Sequence, residues 1–399
     1  VNGLMYGCLL VPLIAIIFLA IKFKARMAIW EYVILFVVPL ITIIIGKVIS
    51  IHSQTVDTEY WNTYGIKAIY YEAWNEWITK TCEDCTETCT GSGEDRTCTE
   101  TCVEYDCSYC DNNSAYWELI DNTGTSFGIP SYEFERITAL WGNVKRVDRG
   151  KRCECECFGN GDQLDGDQYI TVMSNANDID MTVPICKQHT YENKVQCSKS
   201  VFNFQEIDST TIADYKLYCY PHYESMGILH YNPLIGTKDG KAADRLNKHN
   251  ARLGSFKQVH MMIVVFHNQP YDAALLQEAY WKKGNKNEFI LCIGLSGNKI
   301  VWTYVISWTD EEELKIRVAR KVKEMDYDLI AIADYMADEV KKNYVRKQFV
   351  DFSYISVEPT LKAVLITFFV TLIVTIAISI FAIANDFNFG DMTKGRRRW

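Results

Sequence analysis

Three stretches of the chain are apolar almost without a break, Leu4–Ile21, Ile29–Val48 and Leu361–Ala384. A helix rises 1.5 Å per residue, so about 20 such residues cover the ~30 Å hydrocarbon core of a bilayer. The pattern therefore predicts three transmembrane α-helices, about 4–21 and 29–48 within residues 1–50, and a third within 358–386. The roughly 310 residues between the second and third runs exceed one ordinary domain and alternate between apolar and polar positions.

That middle region changes character twice. Behind the second span, Tyr70, Trp74 and Trp77 recur at four and three residues, a helical stripe that predicts an aromatic neck helix within 51–80. Residues 81–235 are cysteine-rich and poor in long apolar runs. From 236 to 357 regular α/β patterning takes over. Lys241–Arg252 reads as a polar helix, and Val259–Phe266 is the near-continuous apolar run of a strand covered on both faces. Asp272–Lys283 reads as a helix, and Phe289–Ile293 and Ile300–Ile306 as a hairpin about Ser296-Gly-Asn298. Thr309 with Glu312 has the form of a capping box opening a helix with the stripe Leu314, Val318, Val322. Ile332, Met336 and Val340 give the stripe of the next helix, and a last one is expected over Tyr344–Val357.

Charge supplies a direction. Lys22, Lys24 and Arg26 lie between the first two spans, and Lys394, Arg396, Arg397 and Arg398 fill the tail at 387–399. Three crossings bring both clusters to one face, which the positive-inside rule makes cytoplasmic. The amino terminus and the middle region are then expected outside. Val1-Asn2-Gly3 carries no Lys or Arg, the order of an N-out anchor rather than of a cleavable signal. The net charge is −9 with no basic stripe in the middle region, which excludes nucleic acid as a partner. The bilayer itself is the first partner implied.

Of 15 cysteines, Cys8 falls in a span and Cys292 in a predicted strand. Outside the cytoplasm the rest read as a disulfide framework: Cys82, Cys85, Cys89, Cys98, Cys102, Cys107, Cys110, Cys153, Cys155, Cys157, Cys186, Cys197 and Cys219. Their pairing is open at this level, and burial would keep Cys292 a thiol, leaving one odd sulfur for another chain. Residues 82–110 hold seven of them, a near-repeat (Cys85-Thr-Glu-Thr-Cys89, Cys98-Thr-Glu-Thr-Cys102) and eight carboxylates against Arg96, so covalent staples must hold a segment with too little apolar matter for a core.

No cofactor is predicted, but two donor sets could take a divalent cation. Asp162, Asp165 and Asp167 in a Gly-rich loop have oxygen donors for Ca²⁺, without the bidentate acid that usually follows. Cys186, His189, Cys219 and His222, in two Cys-x-x-His pairs, have the donors of a tetrahedral Zn²⁺ site; in an oxidising compartment disulfides compete for the same sulfurs. His230, His249, His260 and His267 have no evident carboxylate or nucleophile beside them in the sequence.

The order helix, strand, helix, strand, strand, helix over about 240–345 resembles the TPM-domain family of membrane-anchored extracytoplasmic α/β domains. The resemblance is carried by Leu246-Asn-Lys-His-Asn-Ala-Arg-Leu ahead of Val259–Phe266, by Lys286-Asn287-Glu288 leading into Phe-Ile-Leu-Cys-Ile, and by the span that follows. Glu288 replaces the family's Gly, Ile306-Ser-Trp-Thr309 its Gly-Tyr-Gly, and Asp239-Gly240 alone remains ahead of the first helix. Tyr105-Asp-Cys-Ser-Tyr109 followed by Tyr116-Trp117 is similar to uncharacterised membrane proteins of large tailed bacteriophages.

The fold expected is thus three transmembrane helices plus a large extracytoplasmic α+β ectodomain, a disulfide-rich segment followed by an α/β TPM-like sandwich. With no catalytic motif in view, the function expected is a non-enzymatic module that binds proteins or assembles with itself at the membrane. The alternatives are a metal-dependent phosphoester hydrolase using Asp239, Asp272, Asp310 or Glu311, as the family resemblance implies, and an oligomeric pore.

Overall fold

The computed structural model describes residues 2–23, 29–90, 97–150, 164–197, 204–223, 226–228 and 232–384. Two compact units emerge, one from Val1–Glu59, Thr190–Glu206 and Gln348–Trp399, the other from Tyr60–His189 and Ile207–Lys347. Among the described residues, three helices are long and apolar enough to cross a membrane.

The first of these begins as α1 (Asn2–Gly7) and continues as α2 (Leu10–Phe23). The junction has a cause in Pro12, which has no N–H to offer the Cys8 carbonyl; Val11 N takes that carbonyl at 3.2 Å instead. The second span is α3 (Ile29–Thr55), and the chain then enters strand β1 (Val56–Tyr60).

The expected neck helix is not formed. Its residues make two strands, β2 (Thr63–Tyr71) and β3 (Trp74–Ile78). Tyr, Trp, Ile and Thr stack better on a pleated surface than on a helix, and here Tyr70 and Trp74 of the stripe meet rings on another strand while Trp77 is exposed. Tyr70 stacks on Trp117 at 5.2 Å and Tyr71 on Tyr116 at 4.2 Å.

β4 (Thr81–Thr90) pairs antiparallel with β5 (Thr97–Asp106), and β6 (Tyr109–Asn113) returns along β3. β7 (Tyr116–Asp121) and β8 (Ser126–Gly128) follow, then helix α4 (Ser131–Trp141) and β9 (Lys145–Val147). β10 (Gln168–Val172) and β11 (Pro184–Glu192) complete a sheet in which β2 is flanked by β7 and β10 and meets β11 near its start. Phe134, Ile137 and Trp141 of α4 pack with Ala68, Leu119 and Ile185 into its core.

After α5 (Ser209–Asp214) and the short β12 (Met226–Ile228), the α/β part follows. Its strands β13 (Leu234–Ile235), β14 (His260–His267), β15 (Glu288–Ser296) and β16 (Lys299–Ser307) lie side by side in that order, parallel, parallel, then antiparallel. The apolar run of β14 divides by parity as a strand must. Met261, Ile263 and Val265 face one cluster, built with helices α6 (Gly240–Lys257), α8 (Glu312–Lys323) and α9 (Leu329–Asn343). Met262, Val264 and Phe266 face the other, with α7 (Asp272–Tyr280), Tyr223 and Trp281. Each fully buried side chain of this kind contributes about 1.5–3 kcal/mol.

Local chemistry sets the helix ends. Asp239 accepts hydrogen bonds from Lys241 N and Ala242 N, so α6 starts at Gly240 and runs past the expected Arg252 to Lys257. The capping box at Thr309 does not form: its hydroxyl donates to Val345 O at 2.7 Å, and α8 opens later, at Glu312. Nor does a helix run over Tyr344–Val357. Tyr344 turns inward beside Phe289, Lys257 takes its carbonyl at 3.0 Å, and only a single 3₁₀ turn, Phe349–Phe352, follows.

The last span is α10 (Leu361–Ala384). Val364, Thr367, Thr371 and Thr375 are buried, a stripe at helical spacing, while Ile373, Ile380 and Phe369 point outward. The stripe meets α3 at Gly46, where a Cβ would lie 2.4 Å from Thr367 Oγ1. Small residues let membrane helices approach this closely. Lys47 reaches Tyr6 OH at 3.2 Å, the partner its position near the span's end requires.

Candidate functional site

The most distinctive surface is the hairpin that begins at Trp74. Its strands run from 74 to 90 and back from 97 to 113, and at about 3.3 Å per residue each side is roughly 55 Å long. Cys82–Cys107, Cys85–Cys102 and Cys89–Cys98 bridge it, the last two with Cα atoms 4.0 Å apart. The near-repeat in the sequence is explained by this register. Cys85-Thr-Glu-Thr-Cys89 lies antiparallel to Cys98-Thr-Glu-Thr-Cys102, so each cysteine of one copy meets one of the other. Cys110 is also disulfide-bonded.

Parity divides the hairpin into two unlike faces. Glu83, Glu87, Glu100 and Glu104 share the face of the two inner bridges, with Glu83 opposite Glu104 and Glu87 opposite Glu100. Like charges in that register repel, and the covalent links hold them together. On the other face, pairs of threonines (Thr86 with Thr101, Thr88 with Thr99) lead to Val103 and Tyr105, which are 63% and 52% exposed. Among the described residues β4 and β5 pair only with each other, so both outer edges of that part of the hairpin present backbone N–H and C=O groups, whereas β3 is held at its outer edge by Asn75 N donating to Leu164 O at 3.1 Å.

The metal sets fare differently. Asp165 and Asp167 come together, joined by Glu72 from the end of β2, a ligand the sequence reading did not name; Asp162 lies outside the described residues. Asp167 is fully buried, but its carboxylate is engaged by the Arg146 guanidinium and by Arg149 N, so it serves as an ion-paired fold element. Cys186, His189, Cys219 and His222 do not converge on one ion among the described residues. His189 stacks flat on Trp61, rings 3.5 Å apart, and burial lowers its pKa to about 4. Glu83 and Glu87 approach bridged cysteines, which have no thiolate to offer a metal.

Cys186, Cys197 and Cys219, expected in bridges, stand outside the disulfides. The reason is placement: Cys186 is buried in the β11 core, Cys197 donates to Gln54 O at 3.0 Å, and Cys219 lies exposed beside Tyr280. Cys292 is the buried thiol expected, with burial pushing its pKa up. Cys153, Cys155, Cys157 and His230 lie outside the described residues.

Two histidines do have carboxylate partners, from distant segments. His249 Nε2 lies 2.6 Å from Asp334, which Arg245 also holds, tying α6 to α9. Burial keeps His249 below its ordinary pKa. His260 Nδ1 is 3.8 Å from Glu288 Oε1, both buried where β14 and β15 begin. Two of the four acids considered for hydrolysis, Asp239 and Asp310, are otherwise employed. Asp239 caps α6, Asp310 pairs with Lys347 at 2.7 Å, and Asp272 sits in the first turn of α7. No protein-family model, curated protein or solved structure matches the chain.

Proposed function

We propose that the protein is a membrane-anchored, non-enzymatic binding module whose working surface is the disulfide-stapled hairpin. The carrying observation is the hairpin itself, which exposes Val103, Tyr105 and Tyr109 and, over its β4–β5 part, leaves both edges unpaired among the described residues. A protein partner adding a strand to such an edge gains main-chain hydrogen bonds, and apolar side chains beside it give selectivity. A second copy of the chain is the first partner to consider, because edges of like hairpins are complementary by construction.

Disulfides persist in oxidising compartments, which supports an extracytoplasmic position for the region between the second and third spans. The basic residues beside the spans, Lys22 among them, support the same orientation. The strand and helix order from α6 to α9 supports the TPM-like reading of that part, with its anchor in α10. The hydrolase reading gains no support, since Asp239 serves as a cap and Asp310 as an ion-pair partner.

Chemical crosslinking in native membranes tests the reading. The wild-type chain gives a discrete crosslinked species, and Val103→Asp with Tyr105→Asp abolishes it while leaving the monomer in place. Recovery of monomer alone from the wild type would overturn the proposal.

A further inference from the structure

α7 ends in an unusual way. Beyond Tyr280 and Trp281 the backbone passes through Lys282, Lys283 and Gly284 with φ of 49°, 69° and 69°. A left-handed conformation crowds a Cβ against the following carbonyl oxygen, and Asn or Gly would take these positions more cheaply. Backbone strain of this kind points to a use for the side chain. The Lys283 ammonium is held 5.2 Å from the centre of the Trp308 ring, and among the described residues it forms no ion pair.

Lys283 lines a cavity of about 570 Å³ between the end of α7, β16 and α8, within the range usual for small-molecule sites. Lys315, Arg320 and Lys323 line it too, and the acids there are Glu278 and Glu312. Four cations against two carboxylates leave an excess of two positive charges. Both carboxylates are engaged, Glu312 by Lys315 and Glu278 by the Tyr304 hydroxyl at 2.5 Å. Arg320 also has Glu324 at 3.8 Å, an exposed pair of little strength. The cavity offers a body-binding wall as well: Tyr271, 43% exposed and edge-on to Tyr304, and Ile316, 65% exposed.

We propose that this cavity binds a small organic phosphomonoester, its phosphate among Lys283, Lys315, Arg320 and Lys323 and its apolar body against Tyr271 and Ile316. A phosphomonoester carries close to two negative charges at neutral pH, which matches the excess, whereas a carboxylate would leave one cation uncompensated. Burial and the neighbouring Lys315 lower the pKa of Lys283, against the opposing effect of Glu278, Glu312 and Asp310. A bound dianion relieves that cost. The site is independent of the hairpin.

The test is isothermal titration of the full chain in detergent with phenyl phosphate, and with benzoate as a monoanion of similar body. Phenyl phosphate binds saturably at one site, and benzoate binds at least about tenfold more weakly. Lys283→Asn suits the left-handed backbone, so it folds at least as well while losing about tenfold or more in phenyl phosphate affinity. Lys323→Gln, at an exposed position, weakens binding without touching the fold. No saturable binding, benzoate as tight as phenyl phosphate, or both variants indistinguishable from wild type would overturn the proposal.

Discussion

Asp121 is fully buried and holds together three strands through its carboxylate. It accepts hydrogen bonds from Thr63 Oγ1 at 2.8 Å, Thr123 N at 2.9 Å and Thr125 N at 2.9 Å, and it pairs with Lys187 of β11. Burial alone would raise its pKa; the Lys187 and threonine donors outweigh that and hold it at about 2 against an ordinary 3.8. Since the folded value is the lower one, its contribution is present in full above about pH 3.8 and is lost as pH falls through about 2. Asp121→Asn keeps the shape but leaves Lys187 without its charge partner, and costs about 3 kcal/mol. Denaturant unfolding at neutral pH measures this, and the wild-type and variant curves should converge as the solution is acidified towards pH 2. A variant as stable as wild type at neutral pH would contradict the assignment. Asn250 does comparable work in the α/β part, where its amide exchanges two hydrogen bonds with the Met261 backbone. The turn partners Thr123 and Thr125 lie beside Asp121 in sequence, but Thr63 and Lys187, like the Met261 backbone that Asn250 satisfies, come from other elements, and nothing in sequence joins them.

At the scale of elements, what was legible depended on whether the pattern is local. The spans, the β14 run, the β15–β16 hairpin and the stripes of α8 and α9 are repeats within one element, and they appear where the periodicity puts them. Tyr70, Trp74 and Trp77 fit a helical repeat equally well, but the rings that Tyr70 and Trp74 pack on, Trp117 and Tyr116, lie on a strand some forty residues on, so tertiary stacking decided the matter. The near-repeat at Cys85 and Cys98 was visible; that its copies run antiparallel was not, since pairing is a property of register. Glu72 was missed for the same reason, reaching Asp165 only through the fold.

Two predictions belong to this scale. A two-stranded hairpin alone is marginal in water, so reduction should raise hydrogen exchange over Thr81–Thr90 and Thr97–Asp106 to the unprotected rate and leave β14–β16 unchanged. A hairpin still protected after reduction would show that something other than the bridges holds it. Gly46→Leu drives a side chain into Thr367 and separates α3 from α10. It should lower the thermal midpoint of the detergent-solubilised chain, where Ile44→Leu, at an exposed position, should not. Equal midpoints would remove Gly46 as a packing determinant.

Across the whole molecule, the proposed function divides the chain between anchors and display. Three helices supply the apolar length a bilayer demands, and the region between the second and third carries a well-packed α/β sandwich, a second sheet and a stapled hairpin. The sandwich buries its apolar strands on both faces and so needs no further cover. The hairpin buries little and exposes Val103, Tyr105 and Tyr109, which in a disulfide-fixed element are held ready without the ordering cost a mobile loop would incur. The proposed function puts binding at the hairpin. A photo-crosslinking amino acid placed at Tyr105 in the full chain, irradiated in native membranes and resolved under non-reducing conditions, tests this most directly. The expected result is a discrete adduct, with a second copy or with one protein partner, that the same probe at Ile316 of α8 does not give. Monomer alone from Tyr105, or the same adduct from Ile316, would contradict it.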